Sequence, residues 1–201
     1  MKESQITPDR SLHSDLDWAA LLLGALFVHD GEGRLEARKE PGAGRAASPQ
    51  APGDPQRASS PAPRFVFVRT RHGNLWRFRA DLALFAVREL ARLAAKELPL
   101  PEAEASAAGR PPPERLEAWR RILAAGDDRP GEGVGHEQRG WALRLPEAAA
   151  GATARVAVPE PTLLVYEVDG LPLYLAPGGE RRAIDTALGL GLEPFAEIFE
   201  L

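Results

Sequence analysis

A chain of 201 residues, 44% hydrophobic and 27% charged with a formal net charge of −4, has the make-up of one full domain or two small ones. The absence of cysteine excludes disulfides, thiolate nucleophiles and cysteine-based zinc sites. No apolar run approaches the roughly 18 residues that span a bilayer. The segment Met1 to Arg10 has no signal-peptide apolar core, and the mild acidity gives no bias toward nucleic acid or membrane. The expected location is the cytoplasm.

The prolines and glycines, nineteen of each, cluster, so the foldable part is shorter than the chain, roughly 140 to 150 residues. Ser14 is a good N-cap, with Asp15 and Asp17 in the first turn, where the helix dipole favours carboxylates. Leu16, Ala19, Ala20 and Leu23 continue one helical face, and Gly24 is the expected stop. Ala25 to His29 reads as a strand, Asp30-Gly31-Glu32-Gly33 as a turn and Arg34 to Ala37 as the return strand. The string LFVHDGEGRL is similar to the opening hairpin of PAS-type sensor domains.

From Pro41 to Pro63 the chain is Pro, Gly, Ala, Ser, Gln and Arg with a single acid, and it lacks aromatic and β-branched residues. Such a stretch buries too little apolar surface to offset its ordering, so 41–63 is expected to be a disordered linker or insertion. Arg64 to Arg79 is the clearest hairpin: Phe65 and Phe67 alternate with Val66 and Val68, and the turn falls at Arg71-His72-Gly73-Asn74. Asp81 is placed to cap a helix carrying Leu82, Phe85, Ala86, Leu90, Leu93 and Ala94 as one stripe. After a Pro/Ala loop at 99–112, Pro113 opens a helix with Leu116, Trp119 and Leu123 in register and Ile122 beside them. Gly126 to Gly135 reads as loop, Trp141 to Leu145 as a short strand, and Ala148 to Ala154 has no readable pattern.

The last stretch organises the functional reading. Thr162 to Val168 is an apolar strand, Asp169-Gly170 a tight turn and Leu171 to Leu175 a second strand. Gly178-Gly179 opens a short helix with Ala183, Ile184, Ala187 and Leu188 on one face, and Gly189 and Gly191 can supply the positive-φ stop. After Pro194, Phe195 to Leu201 has strand character. The order strand, small-residue loop, helix, Leu190-Gly191-Leu192 and Glu193-Pro194 resembles the end of a GNAT-type (GCN5-related) N-acetyltransferase. Further upstream, LHSDLDWAALLLGALFVHDGEGRL, PRFVFVRT and GNLWRFRADL resemble the accessory region that precedes the module in some bacterial members.

The resemblance implies an acyl-CoA fold whose late strand holds the thioester, so Leu173, Tyr174, Leu175 and Ala176 would offer their amide groups to the pantetheine arm of acetyl-CoA. A working member also needs a phosphate loop between strand and helix, whose N–H groups bind the CoA pyrophosphate. Asp128-Arg-Pro-Gly131-Glu-Gly133 and Glu137-Gln-Arg-Gly140-Trp-Ala142 approach that pattern, but each starts with a carboxylate and reads better as an ordinary turn. The family's frequent helix tyrosine falls on Ala187, and its helix-start asparagine on Glu180. Asp169-Gly170 closes an antiparallel hairpin, whereas a parallel pair needs a crossover of about a dozen residues or more. The expectation is therefore a shortened member lacking the central CoA segment and acetyl transfer; the alternative is an active acyl-CoA N-acetyltransferase with an atypical phosphate loop.

Other constellations have simpler accounts. Arg64, Arg69, Arg71, Arg77 and Arg79 share a hairpin with Phe65, Phe67, Trp76 and Phe78, a mixture that can neutralise phosphates and stack on bases, so a module binding nucleic acid or a protein partner through hairpin 64–79 is a further alternative. Strand alternation gives the same pattern by burying the aromatics while the arginines meet acids elsewhere, the expected arrangement in an acidic chain. His13, Asp15, Asp17, His29 and Asp30 could be imagined around a hard metal ion, yet capping and turn chemistry already use the three aspartates. Gly-x-Ser-x-Gly is absent, and Trp18, Trp76, Trp119 and Trp141 sit in periodic segments as core candidates. No catalytic residue and no metal ligand is assigned.

The expected fold is α+β: antiparallel β-hairpins with three or four helices and a C-terminal strand-helix-strand of GNAT type. Residues 1–145 form the accessory region and 146–201 the GNAT-like segment. That segment alone has too little core to stand. It should dock on the sheet carrying Phe65 to Phe78, or use an exposed strand edge to pair with a protein partner or a second copy.

Overall fold

A computed structural model describes residues 14–39, 60–101, 111–125, 137–144, 164–168, 171–177 and 181–201. The expected linker 41–63 except its last four residues, the core of the loop 99–112, the loop 126–135, His13 and the Asp169-Gly170 turn lie outside them.

Helix α1 (Asp15–Leu26) begins as its residues dictate. The Ser14 hydroxyl accepts from the Asp17 N–H at 3.3 Å, and the Asp17 carboxylate accepts from the Ser14 N–H at 2.9 Å, a reciprocal capping box. Gly24 does not end the helix, which continues to Leu26. Leu22, Leu23 and Leu26 are all buried in one apolar cluster, and that burial outweighs the helix penalty of a single glycine, about 1 kcal/mol. The chain then forms a hairpin of β1 (Phe27–His29) and β2 (Leu35–Arg38). Its turn is held by Asp30 Oδ1, which accepts from the N–H groups of Glu32 at 2.9 Å and Arg34 at 2.8 Å.

Strands β3 (Phe65–Thr70) and β4 (Gly73–Phe78) make the expected hairpin, but its turn is only Arg71-His72. Gly73 and Asn74 already pair with Thr70 and Arg69. Helix α2 (Leu84–Ala94) starts later than expected, with Ala83 at the N-cap position and no side-chain cap. Asp81 instead accepts from Arg79 Nε at 2.7 Å and Nη2 at 2.9 Å, so a local ion pair has taken the capping carboxylate. The stripe is also narrower: Ala86, Leu90 and Ala94 are buried, while Phe85 is 74% exposed. Helix α3 (Leu116–Ala125) buries Leu116, Trp119 and Leu123; Pro113 precedes it in a turn, its carbonyl accepting from the Leu116 N–H.

Strand β5 (Gln138–Arg144) is longer than the apolar run that announced it, because β7 and β8 pair with it on both sides. Strands β6 (Leu164–Val168) and β7 (Leu171–Pro177) form an antiparallel hairpin with Val168 opposite Leu171. Helix α4 (Arg181–Gly189) ends in a Schellman arrangement: the Leu192 N–H donates to the Ala187 carbonyl and the Gly191 N–H to that of Leu188, both at 3.0 Å. Of the two glycines expected to stop it, Gly191 takes the positive φ of 76° and Gly189 stays in the helix. Strand β8 (Glu193–Glu200) closes the chain.

The architecture is α+β. Six strands form one sheet in the order β4-β3-β8-β5-β7-β6, with every neighbouring pair antiparallel. The C-terminal segment does more than dock on the β3–β4 hairpin: β8 inserts between β3 and β5 as an interior strand. Alternation along β3 divides its residues between two cores. Val66 and Val68 meet α1 on one face; Phe65 and Phe67 meet α2 and α3 on the other, where Trp119 lies 5.3 Å and 4.7 Å from the two rings. A third cluster on that second face joins Trp141, Leu143, Tyr174 and Ala176 to Ala187 of α4. No helix among the described residues is long and apolar enough to cross a membrane.

The two helix glycines should respond oppositely to alanine. Gly24→Ala places a methyl in open space on an exposed helical position and should stabilise the fold by about 0.5–1 kcal/mol. Gly191→Ala forces an alanine into the left-handed backbone region, φ of 76°, and should destabilise the fold by about 1–2 kcal/mol. Urea unfolding of the two variants beside the parent chain measures both shifts.

Candidate functional site

The described residues include two extended groups of buried charges, an Arg38–Glu200 pair whose carboxylate is buried, and an apolar groove. The larger group runs across the second face of the sheet, between its two apolar clusters. Arg69 on β3 stands opposite Glu197 on β8 in the strand register. Its Nε and Nη2 donate to Glu197 Oε2 at 3.1 Å and 2.5 Å, and Nη2 also donates to the Pro111 carbonyl at 3.1 Å. From β5, Arg139 Nε donates to the other oxygen of Glu197 at 2.7 Å. Beyond Arg69 lies Glu97, whose carboxylate accepts from the Glu114 N–H at 2.9 Å and from Arg115 Nη1 at 3.3 Å.

Charges therefore alternate along the row Arg139, Glu197, Arg69, Glu97, Arg115. Glu197 is fully buried, and Arg69 and Glu97 nearly so. Both oxygens of Glu197 already accept from guanidinium groups, so it presents no ready lone pair to a substrate proton. A structural role fits this geometry better than acid–base work.

The second group centres on Asp15, a buried carboxylate at the start of α1. Arg144 Nη2 approaches Oδ1 at 3.0 Å, while His72 Nδ1 and Arg71 Nε approach Oδ2 at 3.2 Å and 3.4 Å. The Arg144 guanidinium also lies 5.4 Å and 5.8 Å from the ring centres of Phe195 and Trp18, a favourable cation–π arrangement. This differs from the simple capping role expected of Asp15: it ties α1 to the β3–β4 turn and to the end of β5. Asp17 belongs to the capping box, and Asp30 bonds Arg34 Nε at 2.7 Å. Among the described residues no three His, Asp or Glu side chains gather as metal ligands.

The arginines of the aromatic hairpin are largely engaged with the protein itself. Arg64 donates to the Leu123 carbonyl, Arg77 to that of Trp76, and Arg79 to Asp81 and the Ala62 carbonyl. Phe65 stacks on Phe78 at 5.4 Å, and Phe65 and Phe67 are fully buried. Their faces are thus occupied by neighbouring rings.

Residues Leu173, Tyr174, Leu175 and Ala176 lie on β7, and all four are buried. Leu143, Ala142 and Trp141 of β5 stand opposite Tyr174, Leu175 and Ala176. On the other side Tyr166, Val165 and Leu164 of β6 stand opposite Leu173, Tyr174 and Leu175. The phosphate-loop candidate at Glu137 to Ala142 is neither a turn nor a loop from Gln138 onward; it is strand β5. Gly140 serves close strand packing there, because a Cβ would come 3.2 Å from the Ala176 carbonyl oxygen. The candidate at Asp128 to Gly133 and the position of Glu180 lie outside the described residues, while Ala187 is buried against the sheet.

What the sequence did not signal is the groove between α2 and α3. It measures about 360 Å³ and is lined by Phe85, Ala86, Ala118, Ile122, Ala125 and Arg121.

Two measurements test the electrostatics. Glu197→Ala removes the buried carboxylate that pairs with Arg69 and Arg139 and should cost about 3–5 kcal/mol in urea unfolding. Arg92→Ala, which removes an exposed pair with Glu89, should stay within about 1 kcal/mol. His29 should impose a pH dependence. Burial first, then Arg77 and Lys39 nearby, lower its pKa from 6.5. Below the ordinary value the unfolded chain then binds the proton more readily, so this contribution is complete above pH 6.5 and is lost on acidification toward the lowered pKa. Thermal unfolding at about pH 7.5 and about pH 5.5 should show a smaller loss for His29→Gln than for the parent chain. Comparison of the chain with protein-family models, with curated proteins and with solved structures finds no match.

Proposed function

We propose that this chain is a shortened relative of the GNAT-type N-acetyltransferases that neither binds acetyl-CoA nor transfers an acetyl group, and that it acts by binding a protein partner. The observation that carries this reading is the position of β7. A pantetheine arm held along a strand needs a free row of backbone N–H and C=O groups. From Leu173 to Leu175 that row stands between β6 and β5. Among the described residues the six-stranded sheet is antiparallel throughout, without the parallel pair at which such a strand would part from its neighbour. Strand β5 occupies the second near-match to a phosphate loop, and Ala187 at the tyrosine position carries no acid to protonate a thiolate.

A protein-binding role draws support from the surface. Leu84 and Phe85, adjacent on the first turn of α2, stand 62% and 74% exposed, and Phe85 lines the groove between α2 and α3. The aromatic hairpin supports nucleic-acid binding less well, because Phe65 and Phe67 are buried and Arg69 is taken by Glu197.

Isothermal titration of the full chain with acetyl-CoA should give no saturable heat, and about 1 mM acetyl-CoA should leave the unfolding temperature unchanged. A dissociation constant in the micromolar range would overturn the reading.

A further inference from the structure

Leu84 opens a row along α2 that faces away from the sheet. Leu84, Arg88 and Arg92 follow one another at four-residue spacing, which makes them one ridge of the helix. Lys96 extends the ridge: its N–H donates to the Leu93 carbonyl at 3.1 Å, so the turn after Ala94 keeps coiling. All four residues are exposed, on the side of α2 opposite the buried Ala86, Leu90 and Ala94. Phe85 stands beside the start of the ridge and Leu98 just past its end, 74% and 67% exposed.

The charge of this surface is one-sided. Glu89 is the acid of α2, and helical spacing places it on the flank between Phe85 and Ala86, where it pairs with Arg92 at 2.8 Å. Arg88 and Lys96 make no ion pair with any described residue. A chain of net charge −4 thus concentrates positive charge here, beside three large exposed apolar side chains. An i, i+4 ridge packs into the groove of another helix. The complement of this one is apolar where it meets Leu84 and Phe85 and carries carboxylates along the turns that follow. An anionic bilayer matches less well, because its charge also faces Glu114 and Glu117, which stand exposed at the start of the neighbouring α3. A helix about 10 Å across meets the ridge alone.

We propose that the outer ridge of α2 docks one helix of another protein, apolar at one end and acidic along its next turns. Leu84 and Phe85 take the apolar end, Arg88 and Lys96 meet the carboxylates, and Arg92 lies between them, shared with Glu89. This rests on the partner-binding reading above and names its surface and chemistry. One ridge buries little area and its ion pairs stay in contact with water, so the complex should be transient.

The test uses the full chain and a labelled synthetic helical peptide with leucines at i and i+3 and glutamates at i+7, i+11 and i+14, beside a twin in which lysines replace the glutamates. Fluorescence anisotropy at about 100 mM salt should give a dissociation constant of about 10–100 µM for the acidic peptide and at least about tenfold weaker binding for the basic twin. The double reversal Arg88→Glu with Lys96→Glu should invert that preference. Leu84→Ser should weaken the acidic peptide at least about fivefold, while Arg121→Glu, on the groove side of α3, should change it less than about threefold. All these positions are exposed, and an unchanged circular dichroism spectrum and unfolding midpoint establish that each variant is folded.

Equal affinity for the twins, no binding below about 1 mM, or indifference to the double reversal overturns the proposal. Loss of the charge preference in Arg121→Glu would move the site to the α2–α3 groove and overturn it as well. So would co-sedimentation with phosphatidylserine vesicles that the double reversal abolishes, which makes the occupant a lipid surface, or a concentration-dependent dimer that it abolishes, which makes the occupant a second copy. Acetyl-CoA added to the same titration separates the two readings. Saturable acetyl-CoA binding sinks the non-catalytic reading and leaves the peptide result standing, whereas peptide failure leaves the acetyl-CoA result untouched.

Discussion

The buried pair of Arg69 and Glu197 constrains how this chain closes. The two residues face each other across β3 and β8, the joint at which the end of the chain enters the sheet beside its first long hairpin. A slip of β8 by one residue would turn Glu197 to the opposite face, away from Arg69. There α1 presents Leu22, Leu23 and Leu26, an apolar surface on which a carboxylate is costly to bury. Buried ion pairs contribute modestly to net stability because desolvation offsets most of their attraction. Their effect here is on register: Arg69, Glu197, Arg139 and Glu97 satisfy one another in one alignment of β3, β8 and β5.

That alignment has consequences for every layer. With β8 in the interior, β3 is buried on both faces, which explains why its whole length is inaccessible while β4 at the sheet edge is half-exposed. The polar row separates the second face into two apolar clusters, one under α2 and α3 and one under α4. On the first face Arg38 of β2 pairs with Glu200 of β8, so the small hairpin is also tied to the inserted strand. Asp15 anchors the far end of the same layer by joining α1 to Arg144.

The insertion also determines what β7 can offer. Since β5 lies against β8 on one edge and β7 on the other, β7 has neighbours on both sides and its central amides lie inside the sheet. Large exposed apolar side chains among the described residues include Leu84 and Phe85 of α2. The most open apolar side chains of α2 are at its first turn, where the sheet no longer covers them.

Much of this was legible locally. The capping box at Ser14, the β3–β4 hairpin, the β6–β7 hairpin and the α4 stop depend on residues within a few positions of one another, and caps, alternation and a left-handed glycine report such contacts directly. The strand expected from Leu171 to Leu175 is likewise observed, as β7. The decisions reserved for tertiary structure were those in which distant segments compete for the same group. Asp81 went to Arg79 and left α2 uncapped, Gly24 was overruled by leucines packing on the sheet, and Phe85 found no surface to cover. Strand order, the burial of Glu197 and the groove between α2 and α3 were illegible for the same reason. Each arises from residues tens of positions apart, and a linear pattern records the period of an element but not the neighbour it will meet.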